Sequence, residues 1–181
     1  MAKMKNLENS RTKAFRSARP SADTNLDLKD RKILSVLRAD GRLTMAELAD
    51  RVGLSTTPCW TRVKRLEAMG AISGYVAVID AKAIGILNIV FIEVTLEKHD
   101  EDMLERFGKA LAAMPEVVDA HLVTGGYDYL VKVAVTGTDH YERFLRESLY
   151  RLPGIRHSRS TFALRELKHE VSVDPLLMPM P

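Results

Sequence analysis

Near the front of the chain, apolar residues recur at helical spacing in three short runs. Behind them the pattern turns to alternation. Leu28, Ile33, Leu34 and Leu37 form one stripe and predict a helix over Leu28–Asp40, with Asp27 as N-cap and Gly41 as its stop. Thr44 followed by Glu47 is a capping box, and Met45, Leu48, Ala49 and Val52 form the next stripe, ended by Gly53. Ser55 is placed to cap a third helix that runs to about Met69, with Pro58 in its first turn, where a missing N–H costs little. Cys59, Val63 and Leu66 make its apolar side. Three short helices, the last two joined by Gly53-Leu54-Ser55, are expected to form a winged-type helix-turn-helix unit.

Ile72–Asp80 reads as an extended connecting strand, and the pattern then alternates between strands and helices. Ile89–Leu96, Val117–Val123, Tyr129–Val135 and about Arg156–Lys168 are expected strands. Between them, Glu101–Met114 presents Leu104, Phe107, Leu111 and Met114 on one side. A helix capped by Thr138 presents Tyr141, Phe144, Leu145 and Leu149. The order strand, helix, strand, strand, helix, strand predicts a ferredoxin-like βαββαβ domain, so the fold class is α+β. Helices cover one face of such a sheet. The other, carrying residues such as Phe91, needs a cover, and a second subunit is the economical one. The expected division is a disordered basic tail over 1–25, the helix-turn-helix over 26–75 and a linker strand over 76–86. A sensing and oligomerisation domain over 87–170 and a C-terminal tail over 171–181 complete it.

Charge sharpens this division. Residues 1–25 carry six Lys/Arg against two Asp/Glu, residues 26–75 nine against six, and residues 76–181 twelve against sixteen. A basic front and an acidic back point to a polyanion met by the front alone. The longest apolar stretch, Ile84–Ile92, is interrupted by Gly85 and Asn88 and is too short to span a bilayer. No export signal is visible, and the single Cys59 cannot form an internal disulfide, so the reading places the protein in the cytoplasm.

Opposite Cys59, Val63 and Leu66, the third helix presents Thr57, Trp60, Thr61 and Lys64, flanked by Thr56, Arg62 and Arg65. Hydroxyls, a Lys and an aromatic on one helical face suit base edges and a thymine methyl in a major groove of double-stranded DNA. Arg62 and Arg65, to the side, suit phosphates, and Ser55 stands at the cap. The plainer alternative is a solvated face. The tight turn and the Ser/Thr cluster just before it weigh against that.

Ser55-Thr56-Thr57-Pro58-Cys59-Trp60-Thr61-Arg62-Val63-Lys64-Arg65-Leu66-Glu67, with Ala46–Leu54 before it, resembles the recognition helix of the Lrp/AsnC (feast/famine) regulators. Thr56 stands where that family commonly has a first proline. The resemblance continues through Gly74-Tyr75, His121–Lys132 and Leu152-Pro153-Gly154-Ile155. It implies homodimers assembling into octamers, and a C-terminal domain that binds an amino acid or related metabolite between dimers.

Thr124, Gly125, Gly126, Tyr127 and Asp128 form the candidate effector loop. The two glycines permit close backbone approach, so their N–H groups suit a carboxylate. Asp128 suits an ammonium, and Thr124 adds a hydroxyl. The competing reading makes the glycines a plain strand-to-strand turn. The family frequently has an acidic residue where Gly126 stands, which leaves room for a changed effector. The five histidines have no metal-ligand spacing, and no hydrolase, kinase or dinucleotide motif occurs, so no metal, cofactor or enzymatic activity is expected. An RNA-binding sheet would need Gly-Phe wording that Tyr129–Val135 lacks. The sequence thus reads as a sequence-specific DNA-binding transcriptional regulator. The alternative is a chromosome-organising protein with weak sequence preference and no effector.

Overall fold

Asp27 opens the first helix by a reciprocal exchange: its carboxylate accepts the Asp30 N–H, and the Asp30 carboxylate accepts the Asp27 N–H. In the computed structural model, which describes residues 26–178, this helix is α1, Leu28–Ala39. The expected tail over 1–25 lies outside the described residues. The Thr44/Glu47 capping box starts α2, Met45–Val52, which ends on Gly53 in the left-handed conformation at φ 65°. Lys29 of α1 reaches the open end of α2 and donates to the carbonyls of Val52 and Gly53. A cation is well placed there, where helical carbonyls lack partners. Ser55 stands at the N-cap of α3, Thr56–Ala68, but its side chain makes no capping bond.

Ile33, Leu48, Ala49, Val52, Cys59, Val63 and Leu66 form the buried centre of these three helices. Leu28, expected in the α1 stripe, is exposed, and the buried α1 positions are Ile33 and Asp30. Asp30 faces inward, where it both closes the box with Asp27 and meets Arg62 and Arg65 of α3. The expected strand over Ile72–Asp80 does not form. Residues 73–80 run without a ladder partner, leaving Val76, Val78 and Ile79 exposed, and a single 3₁₀ turn, Lys82–Ile84, follows. No linker strand over 76–86 therefore forms among the described residues.

The chain divides into two compact units, one running to Val78 and including Glu170 onward, the other Ile79–His169. In the first unit, Glu170–Met178 returns to α1. Arg31 donates to the carbonyls of Pro175 and Met178, Ser35 to the Asp174 carboxylate, and Arg38 pairs with Glu170.

The second unit runs β1 (Asn88–Leu96), α4 (Glu101–Ala112), β2 (Val117–Leu122), β3 (Tyr129–Val135), α5 (Thr138–Glu147) and β4 (Ile155–Phe162). Its antiparallel sheet has the order β2-β3-β1-β4, the arrangement of the ferredoxin-like fold. Val90, Ile92, Val94 and Leu96 alternate with Phe91, Glu93 and Thr95, and the first set is fully buried with Phe107 and Leu111 of α4 and Phe144 of α5. Each such side chain taken from water contributes about 1.5–3 kcal/mol, which fixes the register of the central strands. Two boundaries differ from expectation. β4 stops at Phe162 rather than near Lys168 because little of β1 remains to pair with: Val90, opposite Phe162, is two residues from the start of β1, and the Ala163 N–H takes the Ile89 carbonyl. Gly137, not Thr138, holds the N-cap position of α5, and the Thr138 hydroxyl turns to Asp139 instead.

Candidate functional site

The core positions of α3 dictate what its other side offers. With Cys59, Val63 and Leu66 sealed inside, Ser55, Thr56, Thr57, Trp60, Thr61, Lys64 and Arg65 are all exposed, and Trp60 is 52% accessible. Burial pushes the Cys59 thiol above its ordinary value, in keeping with a packing residue. The Thr61 hydroxyl donates back to the Thr57 carbonyl one turn earlier, leaving its lone pairs outward. Lys64 pairs with Glu67 at 2.8 Å, and the Tyr75 hydroxyl donates to the same carboxylate.

The two arginines are less free than their sequence positions imply. Asp30, with no exposed surface, binds Arg62 through Oδ1 at 2.9 Å and Arg65 through Oδ2. Arg62 also pairs with Asp27 at 2.6 Å. The Asp30 N–H and the Arg62 guanidinium hold the Asp27 carboxyl down at about 2. A buried carboxylate on α1 thus grips two turns of α3. An open cleft of about 450 Å³ lies beside it, lined by Asp27, Thr57, Pro58, Thr61, Arg62 and Arg65. Sequence reasoning placed Arg62 and Arg65 as phosphate ligands and did not find their acidic partners. The available signal was Asp27 and Asp30 at capping spacing beside a helix bearing Arg62 and Arg65.

In the second unit, Thr124, Gly125 and Gly126 are exposed, while Tyr127 and Asp128 are half-buried. Gly125 has φ 137°, and a Cβ at either glycine would meet nothing within 4 Å, so both glycines border open space. The loop is closed by the Val123 N–H donating to the Asp128 carbonyl and the Asp128 N–H to the Val94 carbonyl, both at 2.9 Å. Asp128 Oδ2 accepts the Leu96 N–H at 2.7 Å, and Oδ1 lies 3.0 Å from His99 Nε2. His99 was not singled out in the sequence, because it lies 29 residues from Asp128 and only the β1–β3 pairing joins them.

Among the described residues, no cluster of His, Cys, Asp or Glu is arranged to hold a metal, and no helix is long and apolar enough to cross a membrane.

Residues 26–73 match a winged helix-turn-helix DNA-binding model, and residues 89–173 match the Lrp/AsnC ligand binding domain. The leucine-responsive regulatory proteins of Klebsiella pneumoniae and Escherichia coli K12 are 42% identical over 150 residues, 83% of this chain and 90% of theirs. A transcriptional regulator of Neisseria meningitidis, solved with L-methionine, is similar at TM-score 0.77 and 36% identity, covering 82% of this chain and 96% of its own. An AsnC family regulator of Agrobacterium tumefaciens aligns at TM-score 0.78 and 35% identity, covering 81% and 95%. With both halves matched in order and along nearly the whole length of these relatives, the chain belongs to the Lrp/AsnC family and is a DNA-binding transcriptional regulator carrying a ligand-binding domain.

Proposed function

We propose that this regulator is sequence-specific, with Thr57, Trp60, Thr61 and Lys64 reading base edges in the major groove. Ser55, Thr56, Arg62 and Arg65 then meet the phosphates. The exposure of Trp60 and its polar neighbours on a helix whose opposite face is locked into the core carries this reading. The protein works in the cytoplasm and performs no catalytic step.

The effector is an amino acid or a related metabolite, a reading supported by the L-methionine complexes of two similar regulators, from Neisseria meningitidis and M. tuberculosis. Gly125 and Gly126 present their amides to its carboxylate, with Thr124 and Tyr127 beside them. Its ammonium exchanges with the exposed His99 at Asp128 Oδ1. A second copy covers the sheet face on which Phe91 remains 37% accessible, and dimers assemble further, to an octamer. Two recognition helices then enter successive major grooves about 34 Å apart. The effector shifts dimer association and so changes which linked sites are held together.

The test is binding of Trp60→Ala and Arg65→Gln to a duplex selected from a random library and to an unselected duplex. Trp60→Ala is expected to lose about tenfold on the selected duplex and little on the other, since one base contact is worth roughly 1–3 kcal/mol. Arg65→Gln weakens both with a shallower salt dependence. Equal losses for Trp60→Ala on the two duplexes overturn base reading. Near-equal affinity of the parent for all sequences marks a chromosome-organising protein instead.

A further inference from the structure

Arg62 and Arg65 share one buried anchor, but among the described residues only Arg62 is also held by a carboxylate that can leave. Asp30 has no exposed surface, and both its oxygens are engaged. The Asp27 side chain is half exposed and touches Arg62 with Oδ2, while its Oδ1 caps the Asp30 amide. We propose that Asp27 occupies the place beside Arg62 that a backbone phosphate takes when DNA binds, so that Asp27 is a built-in competitor for the phosphate. The inference rests on α3 being the DNA-facing helix and adds how its inner arginine becomes available.

The geometry supports the exchange in three ways. The cleft beside the pair is lined by Thr57, which carries a hydroxyl, and by both arginines, a donor set suited to a phosphate. A phosphate oxygen that replaces Asp27 Oδ2 keeps the number of charge-assisted bonds at Arg62 constant, while Asp30 holds the guanidinium in place. Asp27, once displaced, is not orphaned, because its other oxygen still caps α1. With its carboxyl held at about 2, Asp27 stays charged at neutral pH, so a competing anion rather than a proton has to open the pair. Asp27 therefore acts as a brake on binding to any DNA, and the brake is released only where other contacts compensate.

The experiment measures binding of the full chain to an unselected duplex over a range of KCl concentrations. Asp27→Asn keeps the N-cap acceptor and removes the charge. It is expected to bind at least about threefold tighter near 0.1 M salt, with the log–log salt slope steeper by about 0.9, the value of one added phosphate contact. In Arg62→Gln, the same Asp27→Asn change is expected to bring no gain. Asp27→Ser, also a capping residue, carries the same expectation should the Asn variant fail to fold by circular dichroism. An Asp27 variant that binds no tighter than the parent overturns the proposal, as does an equal gain with Arg62→Gln present. Should Trp60→Ala and Arg65→Gln leave selected-duplex binding untouched, α3 itself has been misread. Where they weaken binding and Asp27→Asn brings no gain, only the brake is wrong.

Discussion

Asp128 accepts the amide of Leu96 at 2.7 Å, tying the start of β3 to the last residue of β1, where the pairing of β1 with β4 is irregular. Leu96 is fully buried, so its amide has no water to fall back on. The carboxylate that the effector reading assigns to an ammonium is thus also a brace for the sheet.

Two substitutions at Asp128 separate these duties. Asp128→Ala leaves the Leu96 amide unpaired and is expected to lower stability by about 1–3 kcal/mol, read as a lower ligand-free melting temperature. Asp128→Asn keeps an acceptor for that amide and loses the charge. It is expected to melt near the parent yet lose the stabilisation that a panel of amino acids, L-methionine included, gives the parent. An Asn variant that responds like the parent removes Asp128 from the effector site.

Asp30 makes a different demand. Replacing it with Ala removes the shared anchor of Arg62 and Arg65 and takes a partner from the Asp27 amide. Both arginines reach solvent in part, so the loss falls short of that for a sealed ion pair and is expected to be on the order of 2 kcal/mol. Urea unfolding of the parent and variant checks it. A midpoint unchanged within error would mean that α3 is held by its apolar side alone.

Acid should reveal the Asp27 contact. Its carboxyl lies at about 2 in the folded protein against an ordinary 3.8, so the folded state binds this proton more weakly than the unfolded chain does. The stabilisation is complete above the unfolded value and drains away as pH falls through the folded one. The stability difference between the parent and Asp27→Asn is therefore expected to stay level from neutral pH to about 5 and to shrink between about 4 and 2. A difference that widens on acidification contradicts the assignment.

Elements whose information is local could be read directly. The Thr44/Glu47 box, the Gly53 stop and the run Tyr129–Val135 each depend on neighbours a few residues away, and each stands where periodicity and capping put it. Asp30 was hidden because its burial depends on arginines more than thirty positions later. The end of β4 was misplaced for a related reason: nothing inside Arg156–Lys168 announces where β1 stops offering partners. The missing strand over Ile72–Asp80 has β-forming residues but no ladder among the described residues, and propensity without a partner does not make a strand. At the candidate interface, exposure followed from helical spacing, whereas the pairing of Arg62 and the bracing role of Asp128 came from contacts far apart in sequence.

The return of Glu170–Met178 to α1 bears on how the molecule is made. Arg31 finds its carbonyl partners 144 and 147 residues downstream. A ribosome adding about 5–20 residues per second needs roughly 7 to 30 seconds to deliver them after α1 has emerged. During that interval the helix-turn-helix has its apolar centre but not its outer clasp. The unit synthesised first is therefore the one finished last, and α1 receives its final contacts only after every strand of the other unit has been translated.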